Sequence, residues 1–428
     1  MSCEYVLRVH TVFQSVLSNF TVNEIIPLRN VDTFWRDEID QQLRSRKRKC
    51  KVKYHVFRSN HIFNAIKIPD DSKSISVLPC YKYVKKSKAK RLKQESPFCQ
   101  RKSCENCTNI RRSFLYWRSL WTEMPELIIV AYKIKRATFD SNTCRSEMTR
   151  VKKFLLEYTP PNCKILFVKC NVNAPYSHDE LFMQFLFFPS VHCVTFMPPR
   201  VIDSMNEEGK ILKQIKRFLR KLKNAKLFLF FYQTKLASDY QFDWLNQLLT
   251  PLMAEFVSVH KDLVILGCSG VETKFHIERL DKLNAYSSNE NYIEELSWGS
   301  ISAIALCGGN VHAASVLLES SVQTTAELKS KLSLLKTSHS NINTKKKQSF
   351  LVMTSSGYRM KNWYVESKQT GIELIACKNS FSNVPILPVY SYGWQIGSNF
   401  NIEAPLYESK QNKLVHQRST IFTIVTLT

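Results

Sequence analysis

VHTVFQSVLSNFTVNEIIPLRNVDTFWRDEIDQQLRS, residues 9–45, is the stretch on which the reading of this chain turns. Val12, Phe13, Val16, Leu17 and Phe20 recur at helical spacing, and after Pro27 a second stripe runs through Val31, Phe34, Trp35, Ile39 and Leu43. That period places apolar side chains along one face of a helix. Thr21 followed by Glu24 is a capping-box pattern opening a short middle helix, whose Ile25 and Ile26 stand before the helix-breaking Pro27. Three helices in so short a segment have little core of their own to bury. Their stripes call for a covering surface, either the rest of this chain or a second polypeptide.

The remainder supplies ample material for a packed body. The chain has 428 residues, 44% of them apolar, with 26 Phe, enough for two or three domains. The longest apolar runs, LFMQFLFFP at 181–189 and LFLFFY at 227–232, are short of the ~20 residues of a membrane-spanning helix. The first residues show no signal-peptide pattern and the last no prenylation cysteine, so nucleus and cytoplasm are the expected compartments. Thirteen scattered cysteines fit a reducing compartment in which most are small buried hydrophobes.

The formal charge of +25 is unevenly placed: residues 1–120 hold 25 Lys and Arg against 10 Asp and Glu. RSRKRKCKVK at 44–53 and KKSKAKRLK at 85–93 read as nuclear-import or polyanion-binding clusters, or as plain solvated basic surface. Charge alone supplies no sequence recognition, and without a recognition element nucleic acid is not the expected partner. Cys99, Cys104 and Cys107 form a C-x4-C-x2-C with Cys80 as the nearest fourth thiol. A zinc site needs a second knuckle, so these read as free thiols, and neither a metal nor a cofactor is expected.

From residue 126 onward short apolar runs alternate with helical patterns, the signature of sheets covered by helices. Strands are expected at 127–134, 164–169, 192–197, 227–232, 263–268, 300–306, 311–318, 350–354, 385–390 and 420–427, with one more near 74–79. Helices are expected at 143–157, 178–187, 207–223, 240–259, 323–336 and 370–380. The basic amphipathic helix at 207–223 is read as covering the strand that follows it. The pair 300–306 and 311–318, joined by Cys307-Gly308-Gly309-Asn310, reads as a hairpin. The fold class is α+β, a three-helix module leading a two-part mixed α/β body.

Nine of the ten glycines follow residue 266, which places sharp turns and any cleft in the carboxyl-terminal half. Ser355-Ser356-Gly357 imitates a nucleophile turn for which His339, His416 or His312 would be the base. Strand-end serines are more often turn residues, and no phosphate loop, H-E-x-x-H or G-x-S-x-G accompanies them. The chain is therefore expected not to be an enzyme.

Val16, Leu17, Ser18, Phe20, Ile25, Ile26, Leu28, Val31, Phe34 and Trp35 carry a resemblance to the F-box, the module that docks on the Skp adaptor of cullin-based ubiquitin ligases. VILGCSG at 264–270, SISAIALCGGNVHAASVLL at 300–318, SFLVMTSSGYRMKNWY at 349–364 and VPILPVYSYGWQIG at 384–397 resemble, in their order, the segments of the FIST domain. The family cysteine falls on Ser355 or Ser356, the glycine after the arginine is Met360 and the loop glutamate is Gln395.

The resemblance implies an F-box module at 1–55, a FIST amino-terminal part at 56–298 and a carboxyl-terminal part at 299–428. It implies a substrate-recognition subunit, with the Skp adaptor and cullin–RING scaffold as partners and a chromatin or transcription regulator as target. Adaptor docking would use Val12, Val16, Leu17, Phe20, Ile25, Ile26, Leu28, Val31, Phe34 and Trp35, the last two as anchors. Target or ligand would meet a cleft at Gly267, Cys268, Gly308, Gly309, Ser355, Ser356, Gly357, Arg359, Tyr392, Gly393 and Gln395. The alternative is a FIST-type small-molecule sensor with no ligase role.

Overall fold

A computed structural model describes residues 10–20, 22–49, 53–58, 124–134, 163–170, 181–188, 193–202, 224–234, 262–276, 299–340, 348–360, 370–402 and 414–428, with a few positions between. The expected strand at 74–79, the helix at 143–157, Thr21 and the Cys99, Cys104 and Cys107 group lie outside those residues. The fold is α+β.

At the amino terminus α1 (His10–Ser18), α2 (Val22–Ile25), a 3-10 turn (Ile26–Asn30) and α3 (Thr33–Lys49) follow one another. Asp32 caps α3, its Oδ1 accepting from Trp35 N at 2.9 Å, which satisfies one of the orphan donors of a helix start. Phe13, Leu17, Ile25 and Ile39 are fully buried against one another, and among the described residues the partly buried apolar side chains packed on them, Leu28, Phe34, Trp35 and Leu43, come from the same segment.

Fifteen described strands form three sheets. The first has the order β1-β4-β2-β3-β8, from β1 (Lys53–Arg58), β2 (Leu127–Ile134), β3 (Lys164–Lys169), β4 (Leu181–Phe188) and β8 (Glu272–His276). The second has the order β14-β13-β7-β6-β9-β5, from β5 (Cys193–Ile202), β6 (Ala225–Thr234), β7 (Val264–Ser269), β9 (Gly299–Cys307), β13 (Gln395–Gly397) and β14 (Val415–His416). The third has the order β10-β15-β11-β12, from β10 (Val311–Leu318), β11 (Gln348–Ser356), β12 (Ile386–Ser391) and β15 (Thr420–Leu427).

One core joins all three sheets. Ile129, Leu166 and Phe188 of the first, Leu229, Leu266 and Ile304 of the second, and Phe350, Val389 and Val425 of the third belong to it. Each sheet contributes one face, as the period-two alternation of strands requires. The outer face of the third sheet is covered by α4 (Thr325–Ser340) through Leu328, Leu332 and Leu335, and by α5 (Ile372–Ser380) through Leu374 and Cys377. Thr324 and Glu327 form a reciprocal capping box at the start of α4. Phe218 and Leu222 of the 207–223 segment are buried beside Phe228 on the outer face of the second sheet, the covering role read from their stripe.

Two expectations are corrected. Residues 181–188 form β4, not a helix, pairing with β1 and β2; a continuous apolar run has no period to separate the two states. Residues 300–306 and 311–318 do not form a hairpin. β9 is paired on one side with β6 and on the other with β5, so it has no free edge, and β10 pairs with β15 in the facing sheet. Gly308, at φ 134°, turns the chain out of one sheet and into the next, a corner of the kind packed sheets use.

Candidate functional site

The amino-terminal helices divide their apolar residues between two faces. Phe13 meets Trp35 edge-on at 4.6 Å and Phe34 at 5.5 Å between ring centroids. Phe34 and Trp35 are thus half-buried in the module's own core along with Leu28, while Leu17 and Ile25 are fully inside and Ile26 is partly buried. Val12 (39% exposed), Val16 (39%), Phe20 (36%) and Val31 (58%) remain outside. Val12 and Val16 are one turn apart and form a ridge on α1.

Polar contacts fix that ridge from behind. Gln14 donates to the Glu38 carbonyl at 2.9 Å and His10 Nδ1 lies 2.7 Å from Glu38 Oε1. Arg46, on α3, donates to the carbonyls of Leu17 at 2.6 Å and Phe20 at 2.7 Å, closing the carboxyl end of α1. Burial lowers the Arg46 pKa, with nearby Glu24 acting the other way.

In the body, the strand-end serines separate onto opposite faces. Ser355 looks outward, where its hydroxyl lies 2.7 Å from Thr420 Oγ1 and donates to Glu373 at 3.2 Å. Arg359 is wholly buried: Nε meets Glu373 at 2.7 Å, and its remaining nitrogens donate to the carbonyls of Glu319, Arg418 and Val322 and to Tyr364 Oη. Glu373 also accepts from Tyr364 Oη at 2.7 Å and from Thr420 Oγ1 at 2.6 Å. A guanidinium has five N–H donors, and this arrangement occupies them, so Arg359 ties three loops together and offers nothing to a ligand.

The nucleophile arrangement is not assembled. His339 Nε2 contacts Ser349 at 2.9 Å and His416 Nε2 the Gly397 carbonyl at 3.0 Å, while exposed His312 sits on β10 near the far end of the sheets. Gly308 and Gly309 also lie at that far end, Gly308 N bonding to Asn224 O before β6. A pocket of about 300 Å³ opens there, lined by Lys226, Asp262, His312, Ser338, His339 and Asn401.

The other cleft positions do converge, at the end where the parallel strands β6, β7, β11 and β12 finish. Gly357 opens the turn after β11. Tyr358 and Tyr392 stand exposed with their rings 5.7 Å apart and Arg418 over Tyr358. Gly393 passes so close to β7 that an added Cβ would fall 2.4 Å from Ser269 O, and at Gly267 it would fall 1.9 Å from Phe230 O. Trp394 N donates to Ser269 Oγ at 2.7 Å.

Below this rim lies a layer of buried polar side chains facing the shared core. Ser391 is the register partner of Ser356, and Gln395 that of Cys268; Gln395 Nε2 reaches from its sheet to Ser391 Oγ at 3.1 Å. Cys268 is also hydrogen-bonded to Ser391, and burial, with Cys170 beside it, raises its thiol pKa far out of the reactive range. The Oγ atoms of Thr354, Ser356, Ser419 and Thr423 and the Oε1 atoms of Gln184 and Gln395 are buried with no protein partner. Each such group costs ~1–3 kcal/mol unsatisfied, so six approach the ~5–15 kcal/mol by which a domain is stable. Sequence reasoning placed Ser356 and Gln395 in the cleft but missed Thr354, Ser391, Ser419 and Thr423; hydroxyls at alternate positions of otherwise apolar strands were the available signal.

No protein-family model matches the chain, and no curated protein does. Among solved structures, that of cyanuric acid hydrolase from A. caulinodans is matched at 5% identity, over 69% of this chain and 89% of that one, with a TM-score of 0.33. That likeness bears on neither fold nor activity.

Proposed function

We propose that this chain is a substrate-recognition subunit of a Skp–cullin–F-box ubiquitin ligase, working in nucleus and cytoplasm. The observation that supports the reading is that four apolar side chains, Val12 and Val16 on the α1 ridge with Phe20 and Val31, are left exposed on a module whose core of Phe13, Leu17, Ile25 and Ile39 does not include them. Apolar side chains held on a rigid support are what a partner groove takes up, and a few of them carry most of an interface's energy. Phe34 and Trp35 then act by shaping the module around Phe13, and contact with the adaptor centres on the ridge. The body would hold a target protein beside the ubiquitin-charged enzyme, a positioning role with no bond made or broken by this chain.

The test is co-purification of the Skp adaptor with the full chain. Val16→Asp combined with Phe20→Asp should abolish it while circular dichroism and melting remain those of the parent. Retention of the adaptor by a folded double variant would refute the reading.

A further inference from the structure

We infer that the outward face of the helical segment at 213–220 binds the phosphodiester backbone of a nucleic acid, without regard to base sequence. The surface is separate from the amino-terminal helices and independent of adaptor docking.

The two sides of this segment have different fates. Residues 213, 216–218 and 220 are helical. Phe218, with Leu222 just beyond, is buried on the second sheet beside Phe228, so the apolar side is spent on the protein's own core. Lys213, Arg217 and Arg220 are exposed, and their i, i+4, i+7 spacing puts them in one row along the opposite side. At about 1.5 Å per residue the row is about 10 Å long. Asn224, at φ 51°, turns the chain into β6, where Lys226 is held by Asp262 at 3.1 Å and adds little to the row.

The charge of the segment goes beyond what covering a sheet requires. Between Gly209 and Ser238 the sequence holds nine Lys or Arg and no Asp or Glu. A solvated helix gains from opposite charges one turn apart, whereas Lys213 with Arg217, and Arg217 with Arg220, are like-charged neighbours that repel. The helix α4, which covers the third sheet, opens with Glu327 and sets Ser and Thr among its lysines. A polyanion laid along the row relieves the repulsion, and the net charge of +25 draws one in from a distance.

The side chains available select the partner. A lipid surface takes up an amphipathic helix through its apolar side, and that side is already covered. Acidic protein surfaces present scattered carboxylates, but a nucleic-acid duplex presents one charge per ~1.7 Å of its axis. A straight row of long cationic side chains meets such a line in any register. A basic stripe along a helix is the electrostatic footprint of this binding, and contacts to phosphate need no recognition element because they carry no sequence information.

The experiment uses the full chain and fluorescently labelled DNA and RNA duplexes of unrelated sequences, with anisotropy read at salt concentrations from about 50 to about 200 mM. The comparison is the variant Lys213→Gln, Arg217→Gln, Arg220→Gln. Cations at 44–53 and 85–93 contribute equally to both proteins, so the difference between them reports the row alone. Each phosphate neutralised contributes about 0.9 to the slope of log affinity against log salt, so the variant's slope should be shallower by about 2.7 and the parent's advantage should shrink roughly fortyfold over that range. Should the triple variant fail to fold, Arg217→Gln with Arg220→Gln serves, with a slope change of about 1.8.

That slope difference with either duplex supports the inference, and the duplex bound more tightly identifies the nucleic acid. Equal slopes in the parent and a folded variant, or no binding of either duplex by the parent, would overturn it. So would displacement of the duplex by polyglutamate or phosphatidylserine vesicles, at matched charge, as readily as by unlabelled duplex; the row would then belong to an acidic protein or a membrane.

Discussion

Glu373→Leu removes the countercharge from a guanidinium with no exposed atom to turn toward solvent. Arg359 is paired to Glu373 at 2.7 Å with both side chains within a twentieth of full burial, and the same carboxylate holds Tyr364, Thr420 and Ser355. Breaking a buried pair from one side costs about 3–5 kcal/mol, because the remaining charge is stranded, whereas replacing both partners by apolar residues is often close to neutral. Arg359→Met alone should be equally harmful, and the double variant Arg359→Met, Glu373→Leu should be more stable than either single one.

Urea unfolding followed by tryptophan fluorescence reads this directly. With a slope of ~2 kcal/mol per molar, each single change lowers the midpoint by about 2 M, and the double variant recovers much of the loss. If a single variant does not fold at all, recovery of soluble protein in the double carries the same information. Additivity, with the double variant worse than both singles by the sum of their effects, would refute the view that the pair stabilises by mutual neutralisation.

Gly267→Ala should prevent folding, since the Cβ would lie 1.9 Å from a backbone oxygen, whereas Gly309→Ala, whose nearest neighbour is a side-chain atom at 4.0 Å, should leave solubility and melting unchanged. Phe13→Ala should cost about 3–5 kcal/mol of the amino-terminal module's stability, seen as loss of protection in hydrogen exchange over residues 10–49, and leave protection of the third sheet intact. Burial raises the pKa of Cys268, Cys377 and Tyr364 above their ordinary values, so the folded state holds their protons more tightly than the unfolded one. Their contribution is complete below the usual thiol range and is lost as pH rises beyond it, so the unfolding free energy should fall above about pH 9, by ~1.4 kcal/mol per pH unit for each group titrating, and the urea midpoint with it. Iodoacetamide at pH 8 should accordingly leave Cys268 and Cys377 unmodified in the folded chain, with labelling appearing only on unfolding.

Much of the body could be read from local pattern. Residues 127–134, 164–169, 311–318 and 420–427 are strands over the spans their apolar and β-branched runs mark. What local pattern does not carry is pairing. Nothing in SISAIALCGGNVHAASVLL shows that β9 is already flanked on both sides, so a glycine turn that passes between sheets looks like one that folds back. Short strands such as β13, whose Gln395–Gly397 span is held by β7 and β14, have too few residues for a period. At the strand ends, Arg359 reads as a cleft residue from its place beside Gly357, yet long-range contacts to Glu319, Val322 and Arg418 enclose it. Serines and threonines of β11 and β15 were legible as strand residues, but which of them lack partners depends on the facing sheets.

The passage of the chain at Gly308 from the second sheet into the third has a consequence for how the protein can be made. The second sheet interleaves β5, β6 and β7 with β9, β13 and β14, so a cut between residues 298 and 299 separates strands that lie side by side. A polypeptide emerging from the ribosome leaves the free margin of β6 unclaimed until β9 is made, and that of β7 until more than a hundred further residues have been synthesised and β13 arrives. During that interval the nascent chain presents open strand margins to its surroundings, and chaperone demand should peak there, well before release.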